Sequence, residues 1–142
     1  INGDWSSDVC SSDLINCTSF DYINLLTKAA DASWKRETVI SNNIANVNTP
    51  GYKRKDLNFQ GVLTEELGRC KHESLDSKVS DVDLSRLDPQ IYVDSANYSY
   101  RMDGNNVDID TENVELASEQ IRYEGLTDCI NSEFERMKAV IS

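Results

Sequence analysis

Basic residues are scarce in this sequence: 14 Lys and Arg stand against 25 Asp and Glu, a formal net charge of −11. Phosphate backbones are held by a surplus of cationic side chains, so nucleic acid is excluded as a partner, and an acidic membrane surface would repel the chain. Long apolar runs are missing too. No stretch approaches the roughly 18 apolar residues a spanning helix needs, so direct membrane insertion is excluded. Histidine is nearly absent, with His72 alone, two residues from Cys70. The four cysteines, Cys10, Cys17, Cys70 and Cys129, form no C-x-x-C pair and no short spacing. Zinc asks for N and S ligands in paired spacings, so no metal and no cofactor is expected. A disulfide framework does not suit a chain this helical.

What is present is enough apolar material, 39% of 142 residues, for helices to pack on one another, but little for one large core. The charge is also unevenly spread. Residues 15–55 hold six bases (Lys28, Lys35, Arg36, Lys53, Arg54, Lys55) against three acids (Asp21, Asp31, Glu37), and the remainder is strongly acidic. Opposite-signed ends either help the terminal segments, or neighbouring copies, to meet or are ordinary solvated faces. Residues 1–14 show neither helical nor strand periodicity and repeat Ser-Ser-Asp. They lack the basic start and apolar centre of a secretory signal. They are expected to be a non-native leader, similar to a translated sequencing adapter, or a disordered arm.

From Ser19, a candidate N-cap followed by Asp21, apolar residues recur at helical steps. Ile23, Leu26, Ala30 and Trp34 lead to Ile40, Ile44 and Val47, with Leu25 and Ala29 beside them. Pro50 ends the pattern, which predicts a helix over residues 20–46. A second helix is expected after a cap at Asp110 or Thr111, with Glu112 and Glu115 in its opening turns. Leu116, Tyr123, Ile130 and Met137 stand seven residues apart. Leu126 and Val140 take the partner position, Phe134 and Ile141 flank it, and Glu119 and Glu133 interrupt it. This is a heptad seam, the pattern of a coiled coil; packing within one chain is the alternative.

The segment between is polar. A short helix over residues 59–67 should end at Gly68, and residues 71–88 should be loosely ordered. Residues 90–93 and 98–102 read as short strands. The fold expected is therefore mainly α. Long N- and C-terminal helices pair as a coiled coil, and a small, partly irregular middle carries minor β structure. The divisions are a leader (1–14), an N-terminal helix with its turn (15–55), a variable middle (56–103) and a C-terminal heptad helix (104–142).

Two motifs exceed what composition explains. Ser41-Asn42-Asn43-Ile44-Ala45-Asn46-Val47-Asn48-Thr49-Pro50-Gly51-Tyr52-Lys53-Arg54 is a helix end rich in short amides, then a turn, an aromatic and a basic cluster. Asn satisfies fraying backbone, and Gly51 supplies the positive φ of a type II turn after Pro50. Four Asn in seven positions either make a thorough helix stop or reach a neighbouring chain. Asp103-Gly104-Asn105-Asn106-Val107-Asp108-Ile109-Asp110 has oxygen donors, but its glycine comes second where a calcium loop wants it sixth.

The first motif resembles the N-terminal signature of the flagellar rod and hook family, the axial proteins of the bacterial flagellum. Phe20-Asp21-Tyr22-Ile23-Asn24 upstream and DGNNVDID before a helix centred on Tyr123 extend the similarity over residues 18–142. The resemblance implies a structural subunit whose terminal helices line a tubular rod while the middle faces outward. Its length, the DGNNVD element and the end soon after Met137 are those of a proximal-rod member. Implied partners are copies of itself, other rod proteins, a FliE-type adaptor at the rod base and the flagellar type III export apparatus. The implied location is the basal-body rod outside the cytoplasmic membrane, reached without a cleaved signal peptide. The signature falls on Ser41, Asn42, Asn43, Ile44, Ala45, Asn46, Thr49, Pro50, Gly51 and Tyr52, and on Gly104, Asn105, Asn106, Val107 and Asp108. Leu116, Tyr123, Leu126, Ile130 and Met137 are the expected assembly residues, buried against neighbours as folding couples to assembly. Alternatives are another axial protein of the family or a free-standing coiled-coil scaffold. Catalysis is not expected: the acids are placed on exposed helix faces or in the polar tract, with no pocket around them, and His72 lies in the least ordered stretch.

Overall fold

The computed structural model describes residues 18–71, 74–94, 102 and 104–141. Two long helices dominate, α1 (Thr18–Ala45) and α4 (Ile109–Ile141). They pack antiparallel, because Ser33 and Arg36 of α1 meet Glu119 of α4, Glu37 meets Gln120, and Asn43 meets Glu112. As one helix advances, the other retreats. The row Glu112, Leu116, Glu119, Tyr123, Leu126, Ile130, Glu133 and Met137 is buried or half-buried throughout, so the heptad seam faces α1 of the same chain. Most of both stripes is thus turned inward within a single copy, while Trp34 of α1 and Phe134 and Val140 of α4 stay exposed.

Between them lie β1 (Lys55–Leu57), α2 (Phe59–Arg69), α3 (Leu75–Asp81), a 3₁₀ turn (Leu84–Arg86) and β2 (Ile91–Val93). The strands pair antiparallel, Lys55 with Val93, Asp56 with Tyr92 and Leu57 with Ile91. A backbone bond from Asp94 N to Arg54 O (2.8 Å) extends the pair. Asn58 caps α2, its side chain accepting from Gly61 N, and Ser74 caps α3 in the same manner from Ser77 N. Ile23, Ala30, Ala32, Val39 and Ile40 of α1 form the core with Leu57, Val79, Leu87 and Val107.

Several expectations are corrected. Ser19 lies inside α1 rather than capping it. Gly68 does not stop α2, which runs on to Arg69, where the guanidinium bonds back to Glu65 and Glu66. Residues 74–88 are largely ordered, because buried Val79 and Leu87 anchor them and Tyr22 Oη donates to Asp76 (2.7 Å). The partner of β2 is β1, hidden within the basic cluster. The strand expected over 98–102 lies outside the described residues except for Met102, which sits in a turn. The leader 1–14, His72, Cys10 and Cys17 also lie outside them. Cys70 and Cys129 are free thiols. Trp34, expected on the buried stripe, is 60% exposed. Six residues separate it from Ile40, and at 3.6 residues a turn that swings it about 120° away.

Replacing Ile40, fully buried, with Ala should cost about 2–5 kcal/mol of stability in urea unfolding. Trp34→Ala should change it by no more than about 0.5 kcal/mol.

Candidate functional site

The two motifs meet at one end of the helix pair. After α1, Tyr52 N bonds to Thr49 O (3.3 Å) across Pro50 and Gly51, whose φ of 72° is the positive value the turn needs. The last carbonyls of a helix have no partner in the helix itself. Just past that end, Asn105, fully buried, serves the turn: its Nδ2 lies 3.1, 2.9 and 3.0 Å from the carbonyl oxygens of Asn46, Val47 and Thr49. Its Oδ1 accepts from Val107 N at 2.8 Å. Asn106 accepts from Arg54 N (2.7 Å) and donates to Asp94 O (3.2 Å). Lys53 Nζ donates to Gly104 O, and Gly104 itself has φ 79°. Asp108, rather than Asp110 or Thr111, caps α4: its carboxylate accepts from Asp110 N and Thr111 Oγ1, and its carbonyl from Glu112 N.

Asn43 answers the question of the surplus amides for its own position. Fully buried, it donates to Lys55 O (2.7 Å) and Glu112 Oε2 (3.0 Å) and accepts from Lys55 N and Tyr52 Oη. Asn46 bonds back to Asn42 O and accepts from Thr49 Oγ1. These amides serve their own chain. Ser41, Asn42, Ala45, Thr49, Pro50 and Gly51 stay exposed, Ile44 is half-buried and Val107 buried.

Beneath the motifs sits an ionic cluster that sequence reasoning missed. Arg36 Nε and Nη2 grip both oxygens of Asp56 (2.9 and 3.3 Å), Nη1 reaches Glu119 (2.7 Å) and Nη2 reaches Glu115 (3.0 Å). Arg54 bonds Glu112 through Nε and Asp56 through Nη1. Ser33 Oγ donates to Glu119 at 2.6 Å. Glu112 and Glu119 are 1% and 2% exposed. Glu112 lies in the opening turn as expected, and its side chain is an inward-facing partner of Arg54. Glu119, read as an interruption of the seam, is its anchor. The signals were available: an acid on the inward row of a heptad, and a basic surplus in residues 15–55.

The electrostatics follow from the contacts. Burial alone would raise the Asp56 carboxyl, but the Arg36 hydrogen bonds, the Leu57 N–H and the charges of Arg36 and Arg54 outweigh it and hold it below the usual carboxylate range. The bond to Asp56 raises Arg36 further above its ordinary value, against the pull of burial. An open groove of about 480 Å³ runs beside the cluster, with Leu57, Leu63, Leu126, Asp56 and Glu119 among its walls. That corrects the placing of all acids outside any pocket. Asp56 and Glu119 are nevertheless committed to Arg36, and a general acid would need a raised pKa where Asp56 has a lowered one. Among the described residues no group of three or more His, Cys, Asp or Glu is placed to hold a metal ion.

Leu116, Tyr123, Leu126, Ile130 and Met137 are half-buried on the face turned to α1. A family model for a flagella basal body rod protein matches residues 27–53, which take in Arg36 and all of the first motif but Arg54. The flagellar basal body rod protein FlgB of Bacillus subtilis is 41% identical over 108 residues, covering 75% of this chain and 82% of that protein. The chain belongs to the FlgB family. FlgB of Proteus mirabilis is 32% identical over 115 residues, 75% of this chain and 83% of its own. FlgB of Escherichia coli is 25% identical over 114, with 75% and 83% covered. Members of the FlgB family are structural proteins of the flagellar rod.

Glu119→Ala should destabilise the chain by about 1.5–3 kcal/mol, since it removes one carboxylate of Arg36 and the acceptor of Ser33 while Asp56 stays in place, as read by urea unfolding. Acid should act through Asp56. Its folded-state pKa is depressed, so its contribution is complete above the unfolded value near 3.9 and is lost as pH falls through the folded one. Melting temperature should therefore drop below about pH 4, and Asp56→Asn should be less stable at neutral pH with a shallower acid dependence.

Proposed function

We propose that this FlgB-family chain is a subunit of the proximal rod, polymerising through the faces that α1 and α4 turn outward. One observation carries the reading: the two motifs interlock at the end of a long helical hairpin and close it, so that the hairpin is the building unit. The inward face of α4 is occupied by α1, which leaves its far side for neighbours. Val114 and Ile121, seven residues apart on that side, are 70% and 71% exposed, and Trp34 stands out from α1. Large apolar side chains on outward faces of both helices fit a subunit that is covered on assembly.

Coiled-coil packing of the terminal helices along a tubular rod, with the middle elements outward, extends this reading. Its support is the heptad row and the packing of α3 against α1. The partners it implies are copies of this chain, other rod proteins, a FliE-type adaptor at the base and the type III export apparatus. For the adaptor and the export machinery the support is family membership. No helix of the described residues is long and apolar enough to cross a membrane, which accords with a place in the rod rather than the bilayer.

Ile121→Asp tests assembly directly. The side chain is exposed, so helicity by circular dichroism and the amount exported should match wild type, while the chain should be missing from isolated basal bodies and swimming lost. Normal motility in that strain would defeat polymerisation through the outer face of α4. Absence of the wild-type chain from basal bodies would defeat the rod reading itself.

A further inference from the structure

The seven-residue repeat that suits α4 to a helical partner is also ambiguous. Leu116, Tyr123, Ile130 and Met137 recur at equal spacing, so sliding α4 along α1 by seven residues, roughly 10 Å at 1.5 Å per residue, would present a similar apolar row. Apolar seams of this kind settle alignment poorly, and buried polar groups are the usual means of fixing it. The charged positions here repeat only once in succession along the seam. Glu112 and Glu119 stand one heptad apart on the inward row, and the next residue at that spacing is Leu126. The third acid on that row, Glu133, is bonded to Arg136 of its own helix.

We propose that the Arg36–Asp56–Glu119 and Arg54–Glu112 cluster is the register key of the helix pair, selecting one alignment of α4 on α1 from those the heptad allows. A slide that carries Leu126 to Arg36 moves Glu119 toward Arg54 and takes from Arg36 and Ser33 their shared partner. A slide the other way carries Glu112 to Arg36 and leaves Arg54 and Asn43 without it. Either alignment buries a guanidinium short of its carboxylates, which costs far more than the apolar row gains or loses. The same alignment brings Asn105, seven residues before Glu112, to the carbonyls that end α1. Register and motif contact are therefore set together, independently of what the hairpin assembles into.

Disulfide trapping reads the register. In the full chain with its four native cysteines changed to Ser, Glu37→Cys is combined with Gln120→Cys, whose wild-type side chains bond at 3.2 Å. Two further chains combine it with Thr127→Cys or Asn113→Cys, one heptad away on either side. With the cluster intact, oxidation should close only the 37–120 pair. With Arg36→Met, Glu112→Leu and Glu119→Leu added, closure at 37–127 or 37–113 should rise to a yield comparable with 37–120. A helical triple variant that still closes only 37–120 overturns the proposal. Should the triple variant lose its helix, the isosteric pair Glu112→Gln and Glu119→Gln is read the same way, and absence of slipped closure there overturns it equally.

Discussion

Arg36 is the point at which three parts of the chain are made to agree. Its guanidinium is planar with donors in a fixed fork, so it can hold Asp56 with two bonds and still reach α4. Withdrawing such charges from water is expensive, and the return comes only if every donor and acceptor is met. No buried side-chain nitrogen or oxygen among the described residues lacks a hydrogen-bond partner, so that condition is fulfilled. The cluster is thus intolerant of small errors: the helix pair and the strand β1 either arrive together or the arginine is left among unsatisfied carboxylates.

The amide-rich motifs extend the same principle to the backbone. A helix end and a sharp turn leave carbonyls and N–H groups unserved, and burying them without partners is unfavourable. Asn suits the task because one side chain offers both donors and an acceptor. Asn105 uses both functions, its amide on the end of α1 and its oxygen on Val107 N. Asn43 does the same for Lys55, mimicking a strand neighbour at a place where no strand passes. Two segments separated by more than fifty residues are stitched together with little apolar surface.

The long helices were legible because their signal is periodic and local. Pro50 and Gly51 announced the turn through their own covalent constraints, and the φ of Gly51 is what the turn type requires. What stayed hidden was hidden for a physical reason. β1 is three residues long, Lys55 to Leu57, too short to show an alternation, and its pairing is with a strand far along the chain. Glu112 and Glu119 look like surface acids because polarity alone does not say where a partner waits, and the partners lie 58 and 83 residues earlier. Gly68 failed as a stop because glycine permits a helix end without demanding one. Trp34 was misassigned by a slip in phase, since the step to Ile40 is six residues and not seven.

Because α1 and α4 run in opposite directions, Thr18 and Ile141 lie toward the same end of the helix pair, and both amide motifs lie at the other. The two ends therefore differ in kind. One is a closed corner crossed by hydrogen bonds, and the other is where α1 begins and α4 ends. An array of such hairpins set in a common orientation inherits that difference and has a front unlike its back. Directionality, which a symmetric helical pair would have to acquire from some outside template, is already present in how this chain turns around.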